Sequence, residues 1–422
     1  MSVEKFIADK ITGSDKDKSN ISKPIVKIGI IGIVLGVSVM LLTISIVLGF
    51  KKAITDKMTG LTTHLAISNI NVNPSNEPEP ISISEDTLAL LKKINGITHI
   101  QRTAFKNGIL KTKTENEGIL LKGVDREYDF AFLKRHLISG KLPSFTDSSA
   151  SKDILISEGL ASKLELKEGN KMLVYFISQH EAYDSTAKEN IIKSEQRSRK
   201  LVICGIFKTG FADFDDHLTF VDLRQIRVLN YWKPEQAGNY EIMIDDFGKL
   251  EYTKEQISDL LGYSYNVNTI KEIYANIFIW LDKLDINGII IIVLMILVAV
   301  INMITALLIL ILERTNMVGL VKSLGMSNAS VRKIFMFISI RLIGKGLLWG
   351  NVVGIGLCYL QYYFKLIKLD SATYYVDYVA IDINWLYFLI LNAGTFLICI
   401  LMLFLPTILI SKLTPIKTLR FD

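Results

Sequence analysis

The side chains best suited by type and spacing for chemistry are Asp213, Asp215, Asp216 and His217, gathered in the run DFDDH. Carboxylates and an imidazole this close could ligate a divalent cation. The run leads straight into LTFVDL, a short β-like stretch, so it also reads as a solvated turn before a strand, and we expect no metal there. The other histidines, His64, His99, His136 and His180, are scattered. The sequence has no G-x-x-x-x-G-K-[ST] loop to cradle nucleotide phosphates, and no G-x-S-x-G, H-E-x-x-H or C-x-x-C. We therefore expect a chain that is not an enzyme and binds no cofactor of its own.

The elements that would have to position any site are set by four apolar runs. Residues 28–50 and 288–312 contain no Asp, Glu, Lys or Arg and are each long enough to cross hydrocarbon. A third run, 334–364, carries Arg341 and Lys345 but is charge-free from Gly346 onward, and the fourth, 383–410, is uncharged. The fold class expected is a membrane α-helical protein, four spans in a 1+3 arrangement, with a large α+β periplasmic domain between the first and second spans.

Flanking cations orient the spans, because Lys and Arg near span ends stay cytoplasmic while long domains cross largely regardless of charge. Segments 1–27, 313–333 and 411–422 are basic and belong inside, whereas loop 365–382 sets Lys365 and Lys368 against Asp370, Asp377 and Asp382 and suits the outside. Lys51, Lys52 and Lys57 dissent, since they follow the first span on the outer face. Both termini are nevertheless expected in the cytoplasm, because four spans put them on the same side and both are basic.

Composition agrees: 50% of residues are hydrophobic and 21% charged. The net charge of +6 is spread over the inner flanks, which fits anionic membrane lipids and not nucleic acid. The polar N-terminal segment is too long for a cleavable signal, so the first span is expected to stay as an anchor. Cys204 lies in the exported region and Cys358 and Cys399 within spans, which argues against a disulfide framework.

In the exported region, 51–287, strands are expected at 64–72, 119–125, 171–178 and 200–207, with a helix at 157–164 capped by Ser157. Amphipathic stretches from Phe50 and Thr269 read as stalks continuing the first two spans. The polar stretch 178–199, rich in both charge signs, reads as a long loop, either a docking element or a surface flap.

Between the second and third spans, ERTNMVGLVKSLGMSNASVRKIF runs from Glu313 to Phe335. Met317, Leu320, Val321 and Leu324 recur at helical spacing, Gly325 can end the helix and Ser327 can cap the next. A short amphipathic helix joining two spans is placed where a cytoplasmic motor could push on both, although a plain interfacial connector has the same pattern.

The pattern E-R-x-x-x-x-G-x-x-K-x-L-G in this position resembles the FtsX-like family of ABC transporter permeases. The likeness extends along the chain to its lipoprotein-releasing members, LolC and LolE: LGFKKAITDKMTGLTTHLAI at 48–67, AVINMITALLILILER at 299–314, SEGLASKLELKEGNKMLVYF at 157–176 and the ending LPTILISKLTPIKTLRFD all look like family segments. Asn316 and Met317 depart from the Glu and Ile common in relatives. The resemblance implies a permease that pairs with a second copy or relative and binds a separate LolD-like ATPase, which would hold the ATP and Mg. It would sit as a multi-pass protein in a bacterial inner membrane and extract lipoproteins from the outer leaflet for a LolA-like periplasmic carrier.

On that resemblance Glu313, Arg314, Gly319, Lys322, Leu324 and Gly325 fall on the ATPase-coupling helix. Gln179, His180, Glu181, Tyr183, Arg197 and Arg199 fall on the carrier-docking loop, and Met40, Ile44, Leu48, Phe50, Met295 and Val298 line the substrate cavity. Gly29, Gly32 and Gly36 could let helices pack closely and part, or serve ordinary packing. Arg341 and Lys345, one turn apart, are expected to snorkel to the cytoplasmic boundary. Two alternatives stay open: a macrolide-exporter-like machine that transmits motion, and a permease-like regulator or scaffold for periplasmic partners.

Overall fold

The computed structural model describes residues 4–7, 22–70, 79–112, 115–146, 149–184 and 189–403. They divide into two compact units, one holding residues 1–52, 280–368 and 378–422, the other 53–279 and 369–377.

The first unit is helical. Its long apolar elements are α1 (Ser22–Leu61), which continues into the second unit, α4 (Ala275–Glu313), α6 (Asn328–Phe364) and α7 (Trp385–Met402), all apolar and long enough to cross a bilayer. A short α5 (Thr315–Ser323) lies between α4 and α6. Small residues decide how these helices meet. A methyl group on Gly29 would sit 2.8 Å from Ala306 Cβ, so α1 touches α4 almost backbone to backbone. On α6, Gly346, Gly350 and Gly354 form a stripe at four-residue spacing that receives Ile33, Val37 and Leu41 of α1; added Cβ atoms there would lie 2.6, 2.8 and 2.9 Å from those side chains. Ser38 Oγ donates to Gly350 O at 3.0 Å across the same contact.

Asn351 on α6 and Asn392 on α7 donate to each other's amide oxygens at 2.6 and 2.9 Å, and each also donates to the carbonyl one turn back. With no water at this depth, the pair satisfies itself internally. Arg341 and Lys345 lie on exposed positions of α6, Lys345 immediately before the glycine stripe that meets Ile33. Lys51 pairs with Asp282 at 3.1 Å and with Asp285, and Lys52 with Asp382 at 3.4 Å. Two of the dissenting cations are thus matched by carboxylates of their own unit.

The second unit is α+β. Its strands are β1 (Leu65–Ser68), β2 (Ile97–Lys111), β3 (Asn116–Val124), β4 (Leu137–Gly140), β5 (Asp153–Ser157), β6 (Lys171–Asp184), β7 (Glu189–Phe207), β8 (Leu218–Asp222), β9 (Asn239–Ile244) and β10 (Asn266–Thr269). Six of them close a circuit, β2–β3–β8–β5–β7–β6 and back to β2, with β3–β8 and β5–β7 parallel and the other pairs antiparallel. Alternate residues such as Leu110, Leu121, Ile156, Val174, Leu201 and Val221 fill its interior. Helices α2 (Glu158–Lys163) and α3 (Leu223–Leu229) add Leu160, Leu223 and Ile226 to the same core. Strands β9, β1 and β10 extend the sheet from β2 as a wing.

Of the expected elements, Ser157 caps α2 by accepting from Leu160 N–H at 3.2 Å, and strands stand at 171 and through 200–207. The stretch from Phe50 is part of one uninterrupted helix to Leu61, but the second stalk is broken: a capped turn Ile270–Ile273 ends at Tyr274 before α4 begins. The strand expected at 64–72 is confined to Leu65–Ser68, with residues 71–72 outside the described residues, as are 8–21 and the tail 404–422.

Candidate coupling and docking sites

Helix α5 is built as its sequence dictates. Gly325 N–H reaches Lys322 O at 3.0 Å and Met326 N–H reaches Val321 O at 3.1 Å, a paired C-terminal closure that requires the left-handed Gly325, φ +92°. Ser327 then caps α6 by accepting from Ser330 N–H. The helix is anchored from one side: Val318 and Gly319 are buried, and Met317 and Met326 pack on the helical core. The amphipathic stripe divides differently from expectation. Leu320 is 56% exposed and Leu324 79%, so these two, one turn apart, point away from the unit's core. Glu313 ends α4 on an exposed position, while Arg314 and Lys322 are half-buried. The surface is an apolar pair flanked by both charge signs, held on a helix whose other face is fixed.

The described parts of the polar stretch, 178–184 and 189–199, are strand and not loop. They form the paired ends of β6 and β7, in antiparallel register from Lys171↔Val202 to Asp184↔Glu189. Gln179, His180, Glu181 and Tyr183 occupy β6 opposite Ser194, Lys193, Ile192 and Asn190. The sequence lacks a period-two apolar pattern here, so cross-strand backbone pairing could not be read from hydropathy. Arg197 is committed at the root of this ribbon. Its guanidinium stacks over Tyr231 at 4.1 Å, and donates to Val228 O at 3.0 Å and to Glu195 at 3.3 Å. Arg199 is half-buried on β7. Beside the root lies a cavity of about 1050 Å³ whose lining includes Ile109, Leu120, Tyr175, Ile177, Glu195 and His217.

The cavity residues proposed from sequence separate into two sets. Met40 is fully buried in the helical core and Phe50 packs edge-on against Trp280, so neither faces an open surface of this unit. Ile44, Leu48 and Met295 are half-buried and Val298 is 45% exposed. Gly29, Gly32 and Gly36 all face α4, whereas the α6 stripe went unnoticed because glycine lowers hydrophobicity without marking a face.

The acidic run is structural. Asp215 is buried and accepts from Thr209 N–H, Thr209 hydroxyl and Gly210 N–H at 2.8–3.1 Å, fixing the turn before β8. His217 contacts Gly118 O at 3.2 Å through Nδ1. Among the described residues no cluster of three or more His, Cys, Asp or Glu could hold a metal.

A charged cluster that sequence reading missed joins α1 to the sheet. Lys122 is fully buried and Glu241 nearly so; Lys122 Nζ lies 2.9 Å from Glu241 Oε1 and donates to Leu61 O at 3.1 Å, at the C-terminal end of α1. Gln101 donates to Glu241 at 2.8 Å, and Tyr128 and Phe105 rings lie 5.1 and 5.7 Å from the ammonium. Burial pulls the Lys122 ammonium below its usual range while Glu241 pulls it back.

Comparison with known proteins locates these features in a family. The MacB-like periplasmic core domain family matches residues 28–260, and the FtsX-like permease C-terminal family matches 289–415. The lipoprotein-releasing system transmembrane protein LolC of Neisseria meningitidis serogroup B is 22% identical over 96% of this chain and 96% of its own length. LolE of Haemophilus influenzae is 22% identical with the same coverage of both chains. Among solved structures, the extracellular domain of the noncanonic ABC-type transporter YknZ from Gram-positive bacteria covers 49% of this chain and 99% of that one, at 16% identity and a TM-score of 0.31. With four membrane helices and an α+β periplasmic domain between the first and second, the chain belongs to the FtsX-like permeases carrying a MacB-like periplasmic core domain, non-catalytic transmembrane subunits of ABC transporters that work with an ATPase.

Proposed function

We propose that this permease extracts lipoproteins from the outer leaflet of a bacterial inner membrane and hands them to a soluble LolA-like carrier, driven by a LolD-like ATPase. The observation that carries this reading is the collinear likeness to LolC, which spans all four membrane helices and the periplasmic domain together. Acyl chains are held in a bilayer by about 0.8 kcal/mol per buried CH₂, so withdrawing two or three needs outside energy and an apolar shelter. Hydrolysis on the ATPase supplies the first. Half-buried Ile44, Leu48 and Met295 with exposed Val298 contribute to the second, facing a second permease copy or relative.

In this reading α5 receives the ATPase through Leu320 and Leu324, and Glu313, Arg314 and Lys322 set its polar contacts. Gly319 and Gly325 give the helix its fit and its end. The β6–β7 ribbon and the apolar cavity at its root receive the carrier. Both termini are cytoplasmic, an orientation supported by the pairing of Lys51 and Lys52 with acidic residues, which removes the main charge objection. Copurification from native membranes is the test: a co-isolated lipoprotein with intact acyl chains supports extraction, whereas a cell-wall hydrolase activator or an outer-membrane channel in its place contradicts it.

A further inference from the structure

Residues 369–377, which lie between the third and fourth spans, belong with the exported unit and not with the helices on either side of them. Their seat is specific. Tyr375 stacks face to face on Phe211, with ring centroids 4.4 Å apart and planes at 18°. The half-buried Lys57 of α1 donates to Gly210 O at 3.3 Å and to Tyr375 O at 3.2 Å, so one ammonium ties both sides. Gly210, φ +68°, leaves the room this needs: a side chain there would lie 3.0 Å from Lys57 Nζ and 3.1 Å from Asp377 Oδ2. The turn carrying Gly210 and Phe211 is fixed by the buried Asp215 carboxylate. Within the segment, Leu369 N–H bonds Asp377 O at 2.9 Å and closes it into a compact loop.

Two features distinguish this seat from a permanent strut. Tyr375 holds φ +62°, a left-handed conformation that non-glycine residues adopt rarely and at a cost that docking must offset. The attachment lies largely at the surface: Tyr375 and Lys57 are half-buried, the Asp377 carboxylate acts on Lys57, and Thr373, Tyr374 and Asp377 are exposed, while Val376 is buried. By chain connectivity the loop is tied to α6, which ends at Phe364, and to α7, which begins at Trp385. We propose that residues 369–377 form a releasable latch coupling the last two spans to the exported domain, with Tyr375, Phe211 and Lys57 as its positioning residues. Release frees Tyr375 to relax out of the left-handed region; docking restores the stack and the Lys57 bridge. The cargo's identity plays no part in this device.

The test uses the full permease in complex with its ATPase. In a double variant, Lys208→Cys with Asp377→Cys, two exposed positions whose charges interact across the seat and which leave the ring stack intact, a short reducible thiol cross-linker should join the two positions in high yield without nucleotide and several-fold less after vanadate trapping. The joined complex should keep basal ATP hydrolysis and lose transport, and reduction should restore it. A second variant guards against misfolding: Tyr375→Asn tolerates the left-handed backbone but lacks the ring. It should raise labelling of a Val376→Cys probe, a position buried in the docked segment, several-fold at unchanged protein abundance. Cross-linking that ignores nucleotide, full transport in the joined complex, or unchanged labelling of the probe in Tyr375→Asn would each overturn the latch. Lipoprotein release by the unmodified complex is scored separately, so loss of that reading leaves the nucleotide-dependent cross-link to stand or fall alone.

Discussion

Replacing Lys122 by Met tests whether the first membrane helix is anchored in the sheet by charge. Lys122 is fully buried, and its ammonium is the partner of Glu241 at 2.9 Å and of the terminal Leu61 carbonyl at 3.1 Å. Methionine keeps most of the volume but leaves Glu241 with only the Gln101 amide among the partners seen here, and Leu61 O without this donor. Breaking a buried pair from one side costs about 3–5 kcal/mol, because an uncompensated charge stays inside. An orphaned carbonyl adds about 1–3 kcal/mol, overlapping with the first figure because both groups relax together. Against a domain stability on the order of 5–15 kcal/mol, a loss of about 4 kcal/mol is severe. Hydrogen exchange in the full-length protein reads it locally: amides of 116–124 and 239–244 should exchange roughly a thousandfold faster, the factor that about 4 kcal/mol gives under opening-limited equilibrium. The double variant Lys122→Met with Glu241→Met should recover most of the loss, since an apolar pair of similar volume is often neutral in place of a buried ion pair. A single variant whose exchange rises less than about fivefold, equivalent to about 1 kcal/mol, would refute the charge anchor.

Other expectations follow from packing and titration. Gly350→Leu should cost about 1–3 kcal/mol by overpacking on Val37, measured as lost thermal resistance in detergent; Gly356→Leu on the same helix, where nothing lies within 4 Å, should be silent. Asn351→Leu should loosen the α6–α7 contact by about 0.5–2 kcal/mol, and adding Asn392→Leu should cost little more, because the second amide has already lost its partner. Cys204 has its thiol pushed up to about 12 by burial, so it should resist maleimide at pH 8 in the native protein and react on unfolding. An unfolded thiol titrates near 9.0, so the stability this group contributes is whole below pH 9 and falls away as pH rises toward 12, read as a falling midpoint in urea.

The spans and the short helix α5 were legible because their signals are local. Uncharged runs give membrane helices. Gly325 and Ser327 give a helix end and the next start, and the structure supplies the bonds each residue type implies. What escaped is long-range. The β6–β7 ribbon is polar, so its pairing leaves no trace in hydropathy, and the closed six-strand circuit depends on which strands meet. Lys122 and Glu241 stand far apart in sequence as ordinary surface-type residues, and only burial shows them as a pair. The same holds for Tyr375 and Phe211, whose contact no spacing announces. Met40 and Phe50 illustrate the converse: apolar character placed them on a membrane helix but could not say which face meets the core.

The central claim is ATP-driven lipoprotein extraction by this permease with a separate ATPase. It is tested most directly in proteoliposomes holding the purified complex and an acylated lipoprotein, with soluble carrier outside. The expected result is transfer of lipoprotein to the carrier that requires ATP and is abolished by Gly319→Glu, while lipoprotein stays bilayer-bound without nucleotide. ATP hydrolysis that proceeds with no lipoprotein leaving the bilayer, in the presence of competent carrier, would contradict the account.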